Sequence, residues 1–163
     1  MQKSTTKSFQ ETQKIGQNFA SEILASGLQK TAVVLALQGD LGAGKTTFLQ
    51  GFAKGLGIEE VVNSPTFVIL KRFKITQVKS QKSKVKNIIQ KLKFKNFYHI
   101  DLYRVESEKD LEFLNFQEII SNPENIIAIE WPEKISKLLL KNTTLIRFKH
   151  LEESKREMII DKL

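Results

Sequence analysis

The stretch Gly39-Asp40-Leu41-Gly42-Ala43-Gly44-Lys45-Thr46 has the residue types and spacing of a phosphate-binding loop. In the pattern G-x-x-x-x-G-K-[ST], small residues let successive backbone N–H groups converge on phosphate oxygens, and the helix that follows turns its positive end toward them. The backbone of Asp40, Leu41, Gly42, Ala43 and Gly44 would form the cradle. Lys45 is placed to bridge the β- and γ-phosphates as a flexible point charge, Thr46 to set its hydroxyl on Mg2+, and Thr47 to bond the α-phosphate. By themselves these residues imply bound phosphates; the ligand expected for the chain as a whole is ATP with Mg2+.

A phosphate loop alone only binds, and hydrolysis or transfer also needs carboxylates to hold magnesium and position water. Two are in place to do so. Asp101 closes the run Phe97-Tyr98-His99-Ile100, and Glu130 closes Ile126-Ile127-Ala128-Ile129. Each can therefore stand at the carboxyl edge of a sheet, where open α/β folds bind ligands. Spacing does not separate their roles. We assign Glu130 as the Walker-B-like residue, because its strand is wholly aliphatic, and Asp101 to the attacking water or a second magnesium-bound water. The competing reading of each is a surface carboxylate or helix cap after a strand.

Three neighbours stay open to two readings. His99 alternates with Phe97 and Asp101 on one strand face, so it either approaches the site or is a hydrogen-bonded core histidine. Trp131, next to Glu130, either stacks on a base or plugs the core. Arg104 is either a charge-neutralising finger supplied in cis or half of a surface salt bridge.

The surrounding sequence supplies elements in the order such a site requires. Ser8 with Glu11 three residues on is a capping box, and Ile15, Phe19, Ile23 and Leu24 recur at helical spacing, predicting a helix over residues 9–27. Ala32 to Leu37 is short and apolar without alternation, the pattern of a central strand covered on both faces. Phe48, Leu49, Phe52 and Leu56 follow the loop at helical spacing and stop before Gly57, a plausible C′ residue. Asn63-Ser64-Pro65-Thr66 is turn-like, with a strand expected over Phe67 to Phe73. Ser107 can cap a helix through Phe113, with Phe116 to Ile120 continuing or restarting it. A short helix near Lys134 to Leu140 precedes Leu145 to Phe148 and Met158 to Ile160, read as a terminal hairpin. The expected fold is α/β, a P-loop NTPase-like three-layer α/β/α arrangement with a mostly parallel central sheet and a C-terminal antiparallel hairpin, forming a single domain over 1–163.

Composition narrows the class. With 163 residues and 40% apolar content there is room for one core. Zero cysteines exclude disulfides, thiolate metal sites and cysteine nucleophiles together, and two histidines make zinc chemistry a poor fit. The N-terminus is polar, and no apolar run reaches membrane-spanning length, so a cytoplasmic protein is expected. Net charge is +8, but residues 71–95 hold nine Lys and Arg72 with no Asp or Glu, so the remainder of the chain is slightly acidic. The basicity is one segment rather than a property of the fold.

Taken together, the loop continuing through Thr47-Phe48, Ser64-Pro65-Thr66-Phe67, His99-Ile100-Asp101-Leu102-Tyr103-Arg104 and Glu130-Trp131-Pro132-Glu133 resemble the TsaE (YjeE) family over nearly the whole chain. The resemblance implies an ATPase subunit of the bacterial machinery that installs threonylcarbamoyl on adenosine beside the anticodon of ANN-decoding tRNAs. Such a subunit acts with TsaD, which performs the transfer, and with TsaB. It also implies that Thr46 and Glu130 hold magnesium, that Asp101 assists catalysis, and that Thr66 senses the γ-phosphate. One departure is a lysine-rich insertion at about 74–95, between motifs that are otherwise intact. It is read either as a solvated loop or as a set of lysines that contact tRNA phosphates, which would make binding steeply salt-dependent. A P-loop small-molecule kinase is the alternative, though the chain offers only Arg72, Arg104, Arg147 and Arg156 to clamp two sets of phosphates. The guanine-reading Asn-Lys-x-Asp element of a GTPase is missing from the sequence.

Overall fold

A computed structural model describes residues 1–76, 93–106, 110–111, 114–139, 141–152 and 154–162. The bulk of the lysine-rich insertion lies outside the described residues. So does most of the helix expected from Ser107 to Phe113.

Seven strands form one mixed sheet: β1 (Gln2–Thr6), β2 (Val33–Gln38), β3 (Leu70–Lys74), β4 (Asn96–Asp101), β5 (Asn125–Glu130), β6 (Thr144–Glu152) and β7 (Lys155–Lys162), in the spatial order β1-β7-β6-β2-β5-β4-β3. The helices are α1 (Phe9–Ala25), α2 (Lys45–Gly55) and α3 (Phe116–Ser121), and a 3₁₀ segment covers Pro132–Leu138. The centre, β6-β2-β5-β4, is parallel, while β3 on one side and β7 and β1 on the other pair antiparallel.

Period-two alternation along the central strands divides the core. Val33, Leu35, Leu37, Ile126, Ala128, Phe97 and Phe73 point to one face, where they meet Phe19, Phe48 and Phe52 from α1 and α2. Val34, Ile127, Ile129, Tyr98 and Ile100 point to the other, against Leu111, Phe116, Ile120 and Ile135. Both faces of β5 are buried along its whole length, which is why its sequence does not alternate.

Most elements follow the sequence reading with shifted ends. Ser8 caps α1 by accepting from the Glu11 N–H at 3.2 Å, and the Glu11 carboxylate reaches back to the Lys7 N–H at 2.6 Å. Gly57 takes the expected left-handed conformation, at φ +76°, just past the end of α2. The strand expected from Phe67 instead starts at Leu70, because Pro65 to Ile69 form a turn closed by the Val68 and Ile69 N–H groups on the Pro65 carbonyl. The helix expected over 134–140 is a 3₁₀ segment with non-helical Ile135 at φ −135°. Asn115, left-handed at φ +50°, starts α3 as a separate helix. Strand β1 was not foreseen from its polar sequence.

Helices α1 and α2 cross at backbone distance. A Cβ on Gly51 would lie 1.9 Å from the Gln13 carbonyl oxygen, and one on Gly16 would lie 2.2 Å from that of Phe48. Neither neighbour is a flexible side chain that can step aside. Gly51→Ala should therefore force the helices apart and lower stability by about 2–3 kcal/mol, the upper range for overpacking. Urea denaturation of the variant and wild type checks this; equal midpoints would show that the seam has slack.

Candidate functional site

The site follows from strand register. In the parallel centre Leu37 pairs with Glu130, and Glu130 with Asp101, so the end of the strand that leads into the glycine loop and both carboxylates share one edge of the sheet. His99 lies two residues before Asp101 and therefore on the same face, that of α1 and α2. Both carboxylates are buried, with 3% of each residue exposed.

The loop between β2 and α2 needs glycine where the chain turns. Gly39 has φ +143°, and a Cβ there would meet the Phe148 carbonyl oxygen at 2.5 Å; Gly44 has φ +105° at the position preceding α2. Unlike α1, helix α2 has no side-chain cap and no acidic residue in its first turn. Its first N–H groups are thus left to an external acceptor, which suits an anion.

Lys45 opens α2 and curls back over the loop. Its Nζ donates to the carbonyls of Gly39 at 2.6 Å and Asp40 at 3.0 Å, and sits 4.5 Å from the centre of the Trp131 ring. Burial pushes its pKa below the ordinary 10.5, against the opposing pull of Glu130, Asp101, Glu133 and Asp40. Trp131 is held by backbone geometry. It is left-handed at φ +60°, a conformation that costs a bulky residue on the order of 1–2 kcal/mol. Its N–H donates to the Leu37 carbonyl at 3.3 Å, and its ring meets Tyr103 at 5.3 Å. The indole is half-buried, with one face given to the Lys45 ammonium.

The two carboxylates have different company. Glu130 Oε1 accepts from the Thr46 hydroxyl at 3.4 Å and lies 2.9 Å from His99 Nε2. His99 is fully buried, and its Nδ1 has no hydrogen-bond partner among the described residues. It is thus both a core residue and a neighbour of the site. Asp101 Oδ2 instead accepts from the hydroxyls of Ser64 and Thr66, which also bond each other at 2.8 Å, and its Oδ1 takes the Tyr103 N–H at 2.9 Å. The Asp101 N–H donates to the carbonyl of Ile69 at 2.9 Å. Ile69 is left-handed at φ +63°, an outlier for a β-branched residue, so the Ser64–Ile69 turn is strained and cinched onto Asp101.

Arg104 is exposed, and its guanidinium lies 4.4 Å from the centre of the Phe67 ring. Thr47 faces a cavity beside the loop that sequence reading did not find, lined also by Phe9 and Arg156. Among the described residues no cluster of three or more His, Cys, Asp or Glu could hold a metal ion, and no helix is long and apolar enough to cross a membrane. A hydroxyl and one carboxylate nonetheless form an all-oxygen donor pair of the kind Mg2+ takes when phosphates complete its shell.

A seven-stranded mixed sheet with helices, a glycine-rich loop opening α2 and two buried strand-end carboxylates define an α/β protein. A family model for "Threonylcarbamoyl adenosine biosynthesis protein TsaE" matches residues 6–158. The chain is 36% identical over 135 residues to the tRNA threonylcarbamoyladenosine biosynthesis protein TsaE of Bacillus subtilis, covering 83% of this chain and 73% of the relative. To the protein of the same name from Haemophilus influenzae it is 30% identical over 147 residues, covering 90% and 81%. A crystal structure of Bacillus subtilis YdiB superposes with a TM-score of 0.63 at 29% identity, covering 96% of this chain and 82% of that one. The chain belongs to the TsaE family.

The Lys45 environment has a measurable consequence for the free protein. A lysine whose folded pKa is depressed binds its proton less readily than in the unfolded chain, so stability rises with pH between the lowered value and 10.5. Lys45→Met should remove this alkaline increment and leave neutral-pH stability equal to wild type or up to about 1 kcal/mol higher, since a desolvated cation is lost. Denaturation midpoints for both proteins from neutral pH up to 10.5 check the sign. Parallel pH curves would refute it.

Proposed function

We propose that this chain is the ATP-hydrolysing subunit for threonylcarbamoyl modification of the adenosine next to the anticodon in ANN-decoding tRNAs, acting in the cytoplasm with TsaD and TsaB. The observation that carries the reading is the convergence of Lys45, Thr46, Glu130 and Asp101 at the uncapped start of α2. Family membership supplies the pathway. The two core clusters on opposite sheet faces and the antiparallel β6–β7 pair support reading the fold as a three-layer P-loop NTPase with a terminal hairpin.

In this reading the loop N–H groups bind the β- and γ-phosphates, and Lys45 leaves the Gly39 and Asp40 carbonyls to neutralise them. Thr46 and Glu130 would hold Mg2+, which would offset negative charge on the phosphates. His99, carrying its proton on Nε2, donates to Glu130 Oε1 and fixes the carboxylate's direction. Water attacks the γ-phosphorus in line, the bond to the β-phosphate oxygen breaks, and ADP, phosphate and a proton leave. Asp101 acts on this step through the turn it holds: a γ-phosphate that draws the Thr66 hydroxyl away from Asp101 frees the strained turn and one carboxylate oxygen for water. The different partners of the two carboxylates favour this division of labour over the reverse one.

Partner docking is supported by the rim of the site. Leu41 and Phe67 are each 83% exposed, and Val68 and Tyr103 stand beside them, an apolar edge that water covers poorly. Closure of that edge by TsaB and TsaD would exclude water from the phosphates and raise a low intrinsic rate. The lysine-rich insertion at about 74–95 is proposed to face tRNA in the assembly.

Lys45→Ala and Glu130→Ala should each reduce ATP hydrolysis by at least about 100-fold with the fold intact, whereas Thr66→Val should lower turnover with little change in ATP affinity. Phosphate release by the chain alone and after co-purification with TsaB and TsaD measures all three. Unaltered turnover in Glu130→Ala would transfer the magnesium role to Asp101, and the absence of stimulation by TsaB and TsaD would remove the partner assignment.

A further inference from the structure

Lys45 is fully engaged before any phosphate arrives. An ammonium has three N–H donors. Two go to the carbonyls of Gly39 and Asp40, and the centre of the Trp131 ring lies 4.5 Å from the nitrogen. The carbonyls belong to the glycine loop itself, so their hold on Lys45 is local. The indole is different, because it comes from the end of β5, a separate stretch of chain. Its backbone is fixed on both sides, by the Trp131 N–H on the Leu37 carbonyl and by the Lys134 N–H on the Trp131 carbonyl at 3.2 Å. A bulky residue is thus kept left-handed at φ +60° with its ring against the phosphate lysine.

The indole has a second neighbour. Tyr103 meets it at 5.3 Å, with the rings tilted by 54°. The Leu102 N–H on the Glu130 carbonyl at 3.2 Å and the Tyr103 N–H on Asp101 Oδ1 at 2.9 Å tie this stretch to the ends of β4 and β5. Yet Tyr103 is 52% exposed and stands on the rim with Leu41 and Phe67. A tyrosine so placed offers an apolar ring and a polar tip, the kind of side chain protein interfaces favour. Tyr103, Trp131 and Lys45 therefore form a contiguous path from solvent to the glycine loop. We propose that the Tyr103–Trp131 pair restrains Lys45: in the free chain it holds the ammonium on its own loop at the expense of nucleotide binding, and a protein partner that covers Tyr103 releases it. This rests on the nucleotide reading above. It makes Tyr103 a positioning residue, acting on the phosphates only through the indole and Lys45.

Calorimetric titration of the full chain with Mg2+ and either ATP or inorganic tripolyphosphate tests the restraint by the sign of the change. Trp131→Leu keeps an apolar side chain in place but removes the ring, and should tighten both ligands about fivefold, the weight of a cation over a half-buried indole. Tyr103→Ala should tighten both about twofold, and Tyr103→Phe, which keeps the ring, should match wild type. A merely structural part for the indole would weaken binding or leave it unchanged. Either result in Trp131→Leu overturns the restraint while leaving the phosphate site standing, and weakening of ATP alone gives the indole to the base. Tyr103 is exposed and its replacement does not disturb the core, so it decides the matter even where Trp131→Leu fails to fold: affinity in Tyr103→Ala equal to wild type overturns the path to the rim. In the assembly co-purified with TsaB and TsaD, wild type and Tyr103→Ala should half-saturate at the same ATP concentration, because the partner has already displaced the pair. A twofold difference that persists there overturns release by the partner. Wild type that binds neither ligand overturns the nucleotide reading and this inference with it.

Discussion

The parallel register of β2, β5 and β4 is the constraint on which the site depends. Because Leu37 is level with Glu130 and Glu130 with Asp101, three chain segments far apart in sequence end at one line. Strand ends in a parallel sheet cannot slip by one residue without turning a fully buried row inside out, and both faces of β5 are buried. The apolar packing on the two faces therefore does more than stabilise. It sets the height of two carboxylates against a glycine loop to within a residue, and buries them where charge is poorly screened.

Around that line of strand ends the adjoining loops are held by polar contacts and by strain. Lys45 rests on carbonyls of its own loop, and the Ser64–Ile69 turn rests on Asp101 with a β-branched residue in a left-handed conformation. Trp131 is likewise left-handed and anchored to the Leu37 carbonyl. Two strained positions thus flank the carboxylates, both tied to strand-end backbone. Strain of this kind persists only where surrounding contacts over-determine it, and here those contacts include the backbone bonds of Trp131 to Leu37 and of Asp101 to Ile69.

The sequence made the candidate site legible because its signals are local. A glycine pattern and two carboxylates closing apolar runs need no tertiary information to be noticed. What stayed hidden depends on the fold. His99 meets Glu130 only through strand pairing, and the hydroxyls of Ser64 and Thr66 reach Asp101 only because the turn is bent at Ile69. The strand expected from Phe67 failed for the same reason: a β-rich composition yielded to a turn closed on Pro65. Strand β1 was invisible because an edge strand that is mostly exposed needs no apolar alternation, and its pairing with β7 includes the Lys3–Glu157 contact at 2.7 Å. Phe9 and Arg156 come from opposite ends of the chain, and only the β1–β7 pairing makes them neighbours.

The cation over the indole has one more consequence. The chain contains a single tryptophan, and the Lys45 ammonium lies 4.5 Å from the centre of its ring. Emission from an indole responds to a charge above its ring, so any ligand that drew this ammonium away would change the protein's own fluorescence, with no label needed and no second tryptophan to obscure it.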